Sequence, residues 1–172
     1  DPTPRTRSGR PMSYIIDGSN FLGRAGRSVK DPAEKMELAR RLSVFQRQTR
    51  ARVTLLFDGA ADPALETPPP APGQRTLAVL FPPGGRPADD LIIEILEGRK
   101  ENRDVVLVTS DRELAAFGRQ RGARVKACAD FARDLRGVVR EFHRARASRK
   151  REIKPPAGLE LRLWLDVFKE SR

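Results

Sequence analysis

At 172 residues and 38% hydrophobic content, the chain is long enough to bury a core and too apolar for an unstructured tail. Its one cysteine, Cys128, excludes an internal disulfide and reads as a buried, inert thiol. No apolar run approaches the ~20 residues of a membrane span and no signal-peptide pattern opens the chain, so the expected compartment is the cytoplasm. A net charge of +11 favours a polyanionic partner, because neutralised phosphates release condensed counterions.

Residues 1–11 carry three prolines and three arginines with no apolar pattern, and are expected to be an unstructured leader or an expression remnant. The first strand follows, Ser13-Tyr14-Ile15-Ile16-Asp17, ending in Gly18-Ser19-Asn20. Phe21 to Arg27 reads as a glycine-spaced loop. Asp31-Pro32 then opens a helix, with Asp as N-cap and Pro at the first helical position. Val53 to Phe57 is a second strand and it too closes on Asp-Gly, at Asp58-Gly59. A proline-rich loop from Thr67 to Gly73 leads into a third strand, Thr76 to Phe81. After the turn-rich Pro82–Pro87, a helix opens at Ala88-Asp89-Asp90. Val105 to Thr109 is a fourth strand ending Thr109-Ser110-Asp111, and a helix follows to about Arg121. A short fifth strand spans Ala123 to Ala127, and a long helix runs from Phe131 to about Arg146. Strands alternating with helices predict a parallel, doubly wound α/β sheet. The chain closes with a basic linker from Ser148 and an amphipathic segment, Leu161, Trp164, Leu165 and Phe168, whose spacing is that of one helix face. That helix is too short to stand alone in water, and is expected to dock on its own domain, a symmetry mate or a partner protein.

Three strands end in acids, Asp17, Asp58 and Asp111, and Asp89 and Asp90 start a helix. Taken singly, each has an ordinary explanation as a turn residue or helix cap; Ser110 with Glu113 reads as a capping box, leaving Asp111 in the first turn. Together they are harder to dismiss. In an open parallel sheet, strand carboxyl ends converge on one crevice where strand order reverses. Two carboxylates ~5 Å apart repel by roughly 3 kcal/mol at an effective dielectric near 20, so a cluster calls for protons or a cation. With one histidine, His143, and one cysteine, a zinc site of N and S ligands is excluded and a Ser–His–Asp triad disfavoured. Carboxylate oxygens alone suit Mg²⁺ or Mn²⁺. A hard cation in an acidic nest on a basic protein points to phosphodiester hydrolysis, with Ser19 and Asn20 placed to hydrogen-bond a carboxylate or the phosphate. No phosphate-cradling Walker loop is present.

The segments Ile15-Ile16-Asp17-Gly18-Ser19-Asn20, Leu56-Phe57-Asp58-Gly59, Ala88-Asp89-Asp90-Leu91-Ile92 and Val108-Thr109-Ser110-Asp111 resemble, in order and spacing, the YacP-like branch of the NYN domains, relatives of PIN-domain ribonucleases. The resemblance covers roughly residues 12 to 145. It implies a PIN-like three-layer α/β/α sandwich with a mostly parallel sheet of about five strands, and a metal-dependent endoribonuclease site. It implies Asp17, Asp111 and Asp89 as metal ligands, Asp58 as completing or supporting the catalytic set, and Asn20 as the polar partner of the first motif. Asp90 and Ser110 stand in supporting places. Pro87 departs from the Thr or Ser expected before Ala88, removing a hydroxyl contact.

The expected activity is cleavage of single-stranded or unpaired RNA, with Arg24, Arg27 and Arg112 around the rim holding the backbone and the basic run from Arg144 to Lys154 extending the grip. The rivals are a catalytically silent RNA-binding or ribosome-associated module of the same fold, and a protein-interaction adaptor working through the Trp164 helix. The expected division is a leader over 1–11, a nuclease domain over 12–147, and a linker with its helix over 148–172.

Overall fold

The computed structural model describes residue 9, residues 11–67 and residues 76–152. The amphipathic segment around Trp164 and nearly all of the expected leader lie outside these residues. Contacts divide the chain into two compact units, one ending at Val139 and the other beginning at Arg140.

The first unit is built on five parallel strands, β1 (Ser13–Asp17), β2 (Arg52–Leu56), β3 (Leu77–Leu80), β4 (Val105–Val108) and β5 (Arg124–Lys126), in the order β3-β2-β1-β4-β5. The helices are α1 (Gly18–Arg24), α2 (Pro32–Thr49), α3 (Ala88–Gly98), α4 (Arg112–Gln120) and α5 (Cys128–Glu152), with one 3-10 turn at Pro83–Gly85. Parallel strands need crossovers and both sheet faces covered, and continuous apolar runs such as Tyr14-Ile15-Ile16 and Val105 to Val108 meet that demand. On one face Tyr14, Ile16, Val53, Leu55 and Val108 pack with Phe21, Leu42, Phe45 and Phe131 from α1, α2 and α5. On the other, Ile15, Leu56 and Leu107 pack with Ile92, Leu96 and Leu114 from α3 and α4. The result is the α/β/α sandwich anticipated from the sequence. Strand order reverses between β1 and β4, which places the crevice at the ends carrying Asp17 and Asp111.

Two elements differ from their expectations: α5 runs on to Glu152, so that residues 148–152, expected to begin a linker, continue the helix that their Arg- and Lys-rich sequence favours. The stretch after Asp17 is a helix, α1, and not a glycine-spaced loop. Asp17 has extended backbone and accepts the Asn20 N–H at 3.2 Å, which satisfies an orphan donor and lets the turn propagate. Gly18 is also used differently from the turn expected there. Its importance is space: a Cβ at this position would lie 2.6 Å from Phe57 Cε1, 2.7 Å from the Leu56 carbonyl oxygen and 2.8 Å from Leu55 Cδ1. The absence of a side chain lets α1 start hard against β2.

Because one of those three neighbours is backbone, Gly18→Ala cannot be absorbed by a rotamer change. It should destabilise the protein by about 1–3 kcal/mol in urea-induced unfolding, despite alanine's better helix propensity. An unchanged midpoint would mean that α1 stands farther from β2 than described.

Candidate active site

An open cleft of about 480 Å³ lies at the carboxyl end of the sheet, lined by Asp17, Asp58, Asp89 and Asp111 with Ser19, Asn20, Gly23, Arg24, Val29 and Pro87. The four acids named from the sequence therefore share one cleft, although they come from the ends of β1, β2 and β4 and the first turn of α3.

Each acid is held by a helix. Asp17 caps α1, and Asp111 caps α4 by accepting the Leu114 N–H at 2.8 Å. Asp111 is thus the cap itself, and the expected Ser110–Glu113 capping box does not form: the Ser110 hydroxyl accepts the N–H of Cys128, the first residue of α5, at 3.0 Å. The start of α3 has no cap of its own, since Pro87 offers no hydroxyl. Asp58 fills that role from β2's end, its Oδ1 accepting the Ala88 N–H at 2.6 Å. Asp58 is in turn placed by Ser19, whose Oγ accepts the Asp58 N–H at 3.0 Å. Positive helix N-termini thereby face an acidic cleft, the favourable arrangement for both.

Asn20 is a brace. Its Oδ1 accepts the Ser110 N–H at 2.8 Å and faces the Thr109 hydroxyl at 3.5 Å and the Cys128 thiol at 3.2 Å. This ties α1 to the end of β4 and the start of α5, and engages the oxygen expected to reach a carboxylate or phosphate. Thr109, buried to 1% exposure, also accepts the Asp111 N–H through its hydroxyl at 3.1 Å. Sequence reading missed the parts played by Thr109 and Cys128. Their signal was weak, a small polar residue and a buried thiol, and only the fold brings them to Asn20.

The electrostatics are uneven. Asp17 is 4% exposed, and burial raises its pKa to about 7 against the opposing Asn20 N–H, with Asp89 and Asp58 raising it further. Asp89 is also raised, by burial first and then by Asp111 and Asp58, while a hydrogen bond with Asp17 lowers it. Of the two, Asp17 is the acid pushed up to about 7. Asp90 is exposed on the first turn of α3 and adds negative charge near Asp89. Burial raises the Cys128 thiol, consistent with an inert group. Of the three rim arginines, Arg24 lines the cleft, Arg27 pairs with Glu34 at 3.3 Å, and Arg112 is exposed beside Asp111.

Among the described residues, no three Asp, Glu, His or Cys side chains stand together as a ready ligand set for a metal. The donor chemistry nonetheless fits a hard cation. Mg²⁺ keeps several waters and is commonly held by one or two carboxylates, and Asp17 and Asp89 are two carboxylates of one cleft whose raised proton affinity a cation would relieve.

A parallel α/β/α sandwich with acids gathered at its topological switch point is the architecture of a PIN-like domain. The model of the YacP-like NYN domain matches residues 14–164, and the chain belongs to that family, within the PIN-like nucleases. Among solved structures it is similar to Rae1 (YacP) from Bacillus subtilis, with a TM-score of 0.62 and 21% identity over 91% of this chain and 90% of that one. A tryptophan-to-leucine mutant of the same protein gives a TM-score of 0.64 and 19% identity over 83% and 86%. No curated protein matches the chain.

Two outcomes are expected. In the metal-free protein, the raised Asp17 pKa means that the native state binds more protons than the unfolded chain between about pH 4 and 7. Stability from this group is therefore full below pH 4 and lost as pH rises through 7. Asp17→Asn keeps the cap and removes the charge, so in EDTA its advantage over the wild type should grow from near zero at pH 4 to roughly 2–4 kcal/mol at pH 8. A pH-independent difference would show that Asp17 ionises normally. Asn20→Ala leaves the half-buried Ser110 N–H without its acceptor and should cost about 1–3 kcal/mol at any pH, read by chemical denaturation.

Proposed function

We propose that this protein is a metal-dependent endoribonuclease that hydrolyses phosphodiesters in single-stranded or unpaired RNA. One observation carries the reading: Asp17, Asp58, Asp89 and Asp111 line one cleft, where Asp89 and Asp58 raise the proton affinity of Asp17, and Asp111 and Asp58 that of Asp89. Acids at that density are poor packing and useful chemistry. Family membership supports the nuclease class.

Asp17, Asp89 and Asp111 are the residues that would hold Mg²⁺ or Mn²⁺, which would acidify a water and offset charge on the phosphate. Asp58 acts mainly by holding the start of α3, and hence Asp89, in place. Asn20, Ser19 and Ser110 set the relative positions of the strand ends. Arg24 reaches into the cleft wall, where a guanidinium can pair with the RNA backbone, and Arg27 and Arg112 extend that surface. An open cleft suits an unpaired strand, whose phosphates can approach the acids without a second strand in the way. The lone buried thiol agrees with a cytoplasmic setting, and no described helix is long and apolar enough to cross a membrane.

With Mn²⁺ or Mg²⁺, purified protein should cut single-stranded RNA internally, and EDTA should stop it. Asp17→Asn and Asp89→Asn should each lower the rate about a hundredfold or more, and Asp58→Asn about 10–100-fold. Independently of turnover, Mn²⁺ should raise the melting temperature of the wild type and leave that of Asp17→Asn unmoved. Absence of cleavage with either ion, or full activity in Asp17→Asn, would sink the enzyme reading.

A further inference from the structure

The first unit neutralises part of its surface charge internally. Arg27, Arg40, Arg86, Arg99, Arg121, Lys126 and Arg133 each pair with a nearby carboxylate. The second unit behaves differently. There α5 continues from Arg140 to Glu152, and it carries Arg140, Arg144, Arg146, Arg149, Lys150 and Arg151. All six are exposed, and none has an ion-pair partner among the described residues. Glu141 is the one acid among residues 140–151.

This stretch has no apolar stripe to hold it. Residues 140–151 are exposed throughout except half-buried Phe142. Arg140 and Arg144, and Arg146 and Lys150, are like charges at i,i+4, each pair costing about 0.2–0.5 kcal/mol of helix stability. The negative end of the helix dipole offsets part of that cost, but only within the last turn. Six cations without an ion-pair partner among the described residues, over 11 rises of about 1.5 Å or roughly 17 Å, form a dense positive row. Arginine dominates it five to one, the residue whose planar donors match phosphate.

We propose that residues 140–151 of α5 are a phosphate-backbone track for RNA, binding without base readout. This deepens the ribonuclease reading by assigning the substrate a second point of attachment, and it rests on RNA being the substrate. Its energy comes from counterion release, so its signature is the salt dependence of binding.

The test uses the full chain carrying Asp17→Asn and Asp111→Asn, so that binding is read without cleavage. Fluorescence anisotropy of a labelled single-stranded polyuridine is followed at rising KCl. Replacing Arg144, Arg146, Arg149 and Arg151 by Gln should weaken binding by about tenfold or more at low salt, and flatten log Kobs against log[KCl] by about 0.7 for each phosphate no longer neutralised. Replacing the same four by Lys should keep the slope. Replacing Arg50, Arg52, Arg103 and Arg119 by Gln removes equal charge elsewhere and should change the slope much less. Circular dichroism at 222 nm confirms that the helix persists in each variant. An unchanged slope in the α5 Gln variant, an equal change in the control, or a loss in the Lys variant matching that in Gln would overturn the proposal. So would α5-dependent binding to phosphatidylglycerol vesicles with none to RNA. If the native chain cuts no RNA yet the α5 variants lose affinity and slope, the track stands and the nuclease reading falls. The reverse result removes the track alone.

Discussion

The costliest feature of this fold is a carboxylate almost wholly withdrawn from water and set against a second one. Asp17 is 4% exposed, and burial, with Asp89 and Asp58 adding to it, pushes its pKa up to about 7. Burying an acid beside acids opposes folding, and the rest of the molecule is arranged so that the position cannot relax. Asp17 ends the central strand of five, flanked by β2 and β4 in register along its length. Gly18 lets α1 begin against β2 with no side chain between them. The acid can leave the cleft only if the sheet or the helix moves.

Capping converts this constraint into a site. Parallel βα units bring helix N-termini to the same edge as strand C-termini, so unpaired N–H groups and acids arrive together. Here the acids serve as caps within their own units, Asp17 for α1 and Asp111 for α4, and across units, Asp58 for α3. Each cap engages one carboxylate oxygen, and each carboxylate has a second. Packing and chemistry are therefore not rival explanations of these residues. The same Asp that orients a helix also contributes charge to the cleft, which is why each could pass as an ordinary cap when read alone.

Charge is divided along the chain as well as within the cleft. The first unit pairs some of its arginines with acids on its own surface, among them Arg27, Arg86 and Arg121, while four acids and Arg24 line the cleft. Among the described residues, the six cations of residues 140–151 have no ion-pair partner. On the proposed reading, acids are needed where a phosphate would react and cations where a backbone would be gripped, and carrying them on different elements limits their mutual neutralisation.

The alternation of strands and helices, the parallel sheet and the four acids were legible from the sequence, because apolar runs, Asp-Gly punctuation and the Asp31-Pro32 cap are local signals. Strand ends announce themselves within a few residues, and an acid there needs no partner to be noticed. What local signals could not carry was which neighbour each polar group would find. The helix after Asp17 looked like a loop because its glycines dominated the reading, whereas Gly18 is there for its close approach to Phe57, Leu55 and Leu56, which belong to a distant stretch of the chain. The missing hydroxyl at Pro87 looked like a defect until β2 delivered Asp58 to the Ala88 N–H. Asn20 read as a ligand-facing amide, and the fold turned its oxygen to Ser110, Thr109 and Cys128. Residue types and their order determined the architecture and the acid inventory. The tertiary structure alone decided which acids share a cleft and which groups brace them, because those relations depend on sheet order and packing across long stretches of chain.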